Sequence, residues 1–138
     1  MTKWVTIMLC AVLACGSAGA ADTVRHERID VQQGDPARKT SGKITGYQTV
    51  EYTVHVPAGS KVDIGLKSAN TSAYFNVTVA GAGEALFVGA RDGNRFHTVA
   101  PADGQLQVLV YLMRNAARRN QAAAYVLEVG LTAPDKGQ

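Results

Sequence analysis

Cysteine is nearly absent from this 138-residue chain: there are two, Cys10 and Cys15, both near the N-terminus. Two cysteines cannot build a disulfide scaffold, and their spacing is not that of a Cys-x-x-Cys metal or redox pair. Tryptophan occurs once, at Trp4, and the remaining aromatics are five tyrosines and three phenylalanines. A glycan groove paved with stacked rings is therefore disfavoured. Charge of one sign is also scarce, since 14 Lys and Arg stand against 11 Asp and Glu for a net +3. That balance argues against a general nucleic-acid binder driven by a dominant positive field, while a sequence pI near 9.0 leaves room for a local basic patch. The longest apolar run, Trp4 to Ala14, is too short to span a bilayer as a helix.

The equipment of an enzyme is missing as well. His26, His55 and His97 form no His-x-x-x-His pair, and no Gly-x-Ser-x-Gly elbow is present. Ser41, Ser60, Ser68 and Ser72 lie in polar stretches without a neighbouring histidine, and the acids are scattered singly. Gly81 and Gly83 precede a strand pattern rather than a helix, so they make no phosphate loop. Asp92, Asn94 and Asp103 could offer oxygen ligands, but Arg91 and Arg95 would repel a cation, and no calcium site is expected. The expectation is a non-enzyme with no cofactor and no metal.

Met1-Thr2-Lys3, the apolar run and Ala18-Gly19-Ala20 have the order of an export signal cleaved after Ala20. The division expected is a signal peptide over 1–20 and one domain over 21–138, periplasmic or secreted. Val12-Leu13-Ala14-Cys15 offers an alternative, a lipid anchor on Cys15, and only then would the chain meet a membrane. Loss of Lys3 would leave 13 basic and 11 acidic residues, a net +2 in a domain without cysteine.

The rest of the chain alternates with the period of strands. From Ile44 onward, Val50, Tyr52, Val54 and Val56 share one face, while Tyr47, Thr49, Glu51, Thr53 and His55 share the other. Val62, Ile64 and Leu66 repeat the pattern, as do Phe75, Val77 and Val79, then Leu106 to Leu112 and Tyr125 to Leu131. With short strands at Ile29–Val31, Glu84–Val88 and Arg95–Val99, the pattern predicts an all-β, antiparallel β-sandwich of about eight strands. Asp92-Gly93 reads as a hairpin turn between the strands on either side.

One segment is unusual. Arg114-Asn115-Ala116-Ala117-Arg118-Arg119-Asn120 joins two long strands with three arginines and no acid. If residues 114 to 118 take one helical turn, the four-residue spacing puts Arg114 and Arg118 on one face and Arg119 away from it. Such a run can be a solvated end that discourages aggregation. It can also be a pair of guanidinium forks for carboxylates or phosphates on an acidic protein cleft, an anionic polysaccharide or a lipid head group.

The chain resembles the bacterial periplasmic inhibitors of goose-type lysozyme, small sandwiches whose fold is similar to the pre-peptidase C-terminal domain. The resemblance runs from about Ile29 to Leu131. It is carried by Ser41-Gly42-Lys43-Ile44-Thr45-Gly46-Tyr47 leading into Tyr52, by Ala58-Gly59-Ser60-Lys61-Val62, and above all by the 114–120 segment followed by Tyr125. It implies a pre-peptidase C-terminal domain-like fold and a protein partner, a host or competitor lysozyme, whose glycosidase cleft would be blocked. It implies contact residues at Tyr47, Arg114 and Arg118, with Asn115 and Arg119 beside them. A glycosidase cleft holds catalytic carboxylates that arginine forks can pair with, while a tyrosine ring covers apolar surface. The pattern departs at Ala102-Asp103-Gly104-Gln105-Leu106, where the family has a tyrosine two residues after the glycine. The alternative is a non-catalytic exported module of the same fold that binds envelope glycan or another exported protein. Tyr47 itself could instead be a cross-strand packing partner.

Overall fold

The computed structural model describes residues 24–134. The expected signal peptide, its cleavage position and Cys15 lie outside the described residues. Nine strands and two single-turn helices follow one another: β1 (Val24–Ile29), β2 (Arg38–Thr45), β3 (Thr49–Val56), β4 (Lys61–Ser68), β5 (Ala73–Val79), β6 (Ala85–Val88), α1 (Gly89–Asp92), β7 (Arg95–Val99), β8 (Gly104–Leu112), α2 (Arg114–Arg118) and β9 (Ala122–Thr132). One sheet runs β1-β3-β8-β5-β6 and the other β2-β9-β4-β7. The molecule is a β-sandwich, and every strand pair is antiparallel except β1 with β3.

The alternating residues point inward as their period requires. Val50, Tyr52, Val54 and Val56 of β3 and Leu106, Val108, Val110 and Leu112 of β8 meet Ile64, Leu66, Leu127, Val129 and Leu131 from the facing sheet. Phe87 bridges the far side, its ring centroid 4.9 Å from that of Phe75 and 5.3 Å from that of Phe96. Without a disulfide among the described residues, this apolar layer is the chief source of stability.

Three expectations are corrected. The run from Ile44 to Val56 is two strands rather than one, which raises the count to nine. Gly46 takes φ 60° and the Thr45 carbonyl accepts the Gln48 N–H, so the chain turns and β3 leaves for the other sheet. The first strand is Val24–Ile29, ending where Ile29–Val31 had been expected, and it lies parallel beside β3. Asp92-Gly93 is not a hairpin. Gly89–Asp92 is a helical turn whose Asp92 carboxylate accepts the Val88 N–H at 3.2 Å, and β6 and β7 belong to different sheets. A two-residue hairpin joins neighbours in one sheet, and this connection crosses between sheets. Gly93 does take the positive φ, 107°, that the sequence suggested.

Candidate functional site: one end of the sandwich

The connection between β8 and β9 also crosses from one sheet to the other, which explains why it is longer than a hairpin needs. After Met113, its next five residues form α2, the helical turn expected from the sequence. Ala116 and Ala117 are buried at 0% and 3% exposure, while Arg114, Asn115, Arg118 and Arg119 are exposed. Helical geometry accounts for the division. At 3.6 residues per turn the four polar residues span an arc of about 140°, with the two alanines on the opposite side. Arg114 and Arg118 are about 40° apart on that arc and point outward together.

Backbone closure fixes where α2 ends. Asn120 takes φ 53°, a left-handed conformation that asparagine tolerates better than most residues. The Asn120 N–H then donates to the Ala117 carbonyl at 2.9 Å and the Gln121 N–H to the Ala116 carbonyl at 3.1 Å. Arg119 Nε donates to the Asn115 carbonyl at 3.3 Å, and the Asn115 side-chain oxygen accepts the Ala116 N–H. Among the described residues neither Arg114 nor Arg118 forms an ion pair, so both forks are open to a ligand.

The β2–β3 turn brings Tyr47 to the same end. The Gly46 N–H donates to the Gln121 carbonyl at 2.9 Å, and a Cβ on Gly46 would come within 2.7 Å of Asn120 Oδ1. Glycine is required twice over, for its positive φ and for this close approach. Tyr47 follows it in the turn at 49% exposure. It is not a strand residue, so the cross-strand packing role considered for it does not hold. Asn115 and Arg119 sit on the same convex end, whereas Leu106 is core, 8% exposed, and its β8 start lies at the opposite end from α2.

Beneath this end lies a polar contact that sequence reading missed. Tyr52 of β3 and Tyr125 of β9 face each other across the sandwich with hydroxyl oxygens 2.6 Å apart, at 0% and 3% exposure. Gly42 on β2 makes room for Tyr125, because a Cβ there would collide with the tyrosine hydroxyl. Burial pushes both phenol pKa values up. For Tyr125 the bond to Tyr52 adds to the rise, while for Tyr52 the same bond opposes it. Tyr125 is therefore a core residue beside the arginine segment rather than a contact. The signal available was its place in the inward alternation of β9.

Among the described residues the histidines and the buried serine lie apart from these groups and from one another. His26 lies 3.4 Å from Glu51 on one outer face, and His97 lies 3.4 Å from Asp63 on the other. Ser60 is buried, with Oγ accepting from Gln33 Nε2 at 2.7 Å. Among the described residues no group of three or more His, Cys, Asp or Glu could hold a metal ion. A trough of about 380 Å³ at the opposite end is walled by Val79, Leu86, Val99, Pro101 and Leu106. Its acid, Asp103, accepts the Ala58 N–H at 2.7 Å.

The two-sheet fold is that of a sandwich similar to the pre-peptidase C-terminal domain. The corresponding domain of a Bacillus anthracis collagenase superposes with a TM-score of 0.54 over 78% of this chain and 94% of its own, at 18% identity. No protein-family model matches the chain. Similarity in both sequence and fold extends to a narrower group. The crystal structure of Aeromonas hydrophila PliG, a periplasmic inhibitor of g-type lysozyme, gives a TM-score of 0.72 at 29% identity, covering 81% of this chain and all of that one. The inhibitor of g-type lysozyme from Escherichia coli K12 is 23% identical over 124 residues, 89% of this chain and 91% of that protein.

Proposed function

We infer that the protein is a periplasmic, non-catalytic inhibitor of g-type lysozyme that places its α2 end in the enzyme's substrate cleft. The observation that carries the reading is the pair Arg114 and Arg118, exposed together on a turn anchored by buried alanines and without acidic partners among the described residues. A glycosidase cleft supplies the complementary acids. Guanidinium forks bind carboxylates bidentately, and such pairs strengthen when the two surfaces meet and water leaves. Tyr47, exposed on the adjoining turn, would cover apolar surface and offer its hydroxyl where a sugar hydroxyl binds. Asn115 and Arg119 extend the contact at its margin. Likeness to two g-type lysozyme inhibitors over most of the chain supports the choice of partner.

The test is peptidoglycan lysis by g-type, chicken-type and invertebrate-type lysozymes with increasing amounts of the purified protein. Dose-dependent slowing of the g-type enzyme at micromolar concentration or below is expected. Lysis at full speed for all three enzymes would overturn the reading.

A further inference from the structure

α2 has five residues, no side-chain hydrogen bond at its N-cap and no length to sustain itself as an isolated helix. Its order must come from neighbours. The β4–β5 turn is one of them, and it reaches both ends of the arginine segment. At the entrance, the Met113 N–H donates to the Ser72 carbonyl at 2.9 Å. At the exit, Asn70 Nδ2 donates to the Ala122 carbonyl at 3.1 Å and to Gln121 Oε1 at 3.3 Å. The turn is itself tied by the same residue. Asn70 Oδ1 accepts the Ser72 N–H at 2.9 Å, and the Asn70 N–H donates to Ser68 Oγ at 3.1 Å. Ser68 Oγ in turn donates to the Ala124 carbonyl at 2.8 Å.

We propose that Asn70 is a positioning residue for inhibition, holding Arg114 and Arg118 in their bound arrangement before the lysozyme arrives. This rests on the inhibitor reading above. The physical reason is preorganisation: a loop that must be ordered on association loses affinity by the entropy of that ordering, while a loop ordered beforehand does not. Asn70 acts through the Gln121 side chain and the Ala122 carbonyl, two and three residues beyond Arg119, and needs no contact with the enzyme.

Asn70→Asp tests the role with little change of shape. The variant keeps the oxygen that accepts from Ser72 and replaces the Nδ2 donor with a second acceptor facing the Ala122 carbonyl. Two readouts are taken on the full protein. Amide hydrogen exchange at Asn120 and Gln121, which close the helical turn, is expected to quicken about tenfold, the loss of one hydrogen bond's worth of local stability. Inhibition of g-type lysozyme is expected to weaken by a similar factor, and the loss should shrink in an Arg118→Ala background because Asn70 acts through that arginine. Exchange at the wild-type rate would overturn the proposal, as would a loss of inhibition of equal size in both backgrounds. Exchange needs no lysozyme, so the bracing of α2 is measured independently, whereas failure of the inhibitor reading shows in the wild-type protein alone.

Discussion

Arg114 and Arg118 differ from three other arginines in what surrounds them. Arg25, Arg91 and Arg95 each have a carboxylate within 3.2 Å, while the α2 pair has none among the described residues. Since both are exposed in the free protein, truncating either to alanine should leave the melting temperature within about 2 °C of wild type. Inhibition should weaken by about 2 kcal/mol or more if each arginine pairs with a buried cleft acid. Thermal melts and inhibition curves on the two variants check this together. A second prediction concerns the buried phenols. Their folded pKa values lie above the unfolded value of about 10, so their contribution to stability is complete below that pH and fades as pH rises beyond it. Melting temperature should therefore fall above about pH 10, and the fall should be shallower in Tyr52→Phe/Tyr125→Phe. Removing both hydroxyls at once also avoids stranding one of them buried, which would cost about 1–3 kcal/mol.

At the scale of elements, the site depends on two turns whose chemistry is unequally visible in the sequence. The helical turn was legible from Arg114 and Arg118 at a four-residue spacing, with Ala116 and Ala117 between them as helix formers. The β2–β3 turn was not, because Ile44 and Val50 continue one alternation, and only Gly46 marks the break. A glycine within a strand pattern is consistent with a bulge, a close approach or a turn, and the deciding contact is with Asn120, 74 residues away. The sheet assignment of the β6–β7 and β8–β9 connections was hidden for the same reason: periodicity fixes which face is buried, not which neighbour a strand takes. Asn70 belongs to no pattern in the sequence, since its partners at Gln121 and Ala122 are set by tertiary contact. Gly46→Ala should test the β2–β3 turn. The left-handed φ costs a side chain about 1–2 kcal/mol, and the added Cβ meets Asn120 Oδ1. Both the melting temperature and inhibition should drop, unlike the arginine variants, which should lose inhibition alone.

Across the whole molecule, the proposed contact end stands apart from the core that supplies stability. The two sheets provide a dry core and leave the crossover connections at one end free to carry charge. The chain's net +3 is small, yet α2 and its flank concentrate three arginines without an acid between residues 104 and 127 at that connection. Association with an acidic cleft should therefore slow as salt rises from about 0.05 to 0.5 M, as screening shortens from more than 10 Å to a few ångströms. Stopped-flow association rates with g-type lysozyme measure this, and a rate indifferent to salt would count against charge-led docking.

The most direct test of the account is the kinetic pattern of inhibition of g-type lysozyme across a range of soluble oligosaccharide substrate concentrations. Occupation of the cleft by Tyr47, Arg114 and Arg118 predicts competitive inhibition, with apparent KM rising linearly with inhibitor and kcat unchanged. Inhibition that lowers kcat at fixed KM, or no inhibition at micromolar protein, would contradict it.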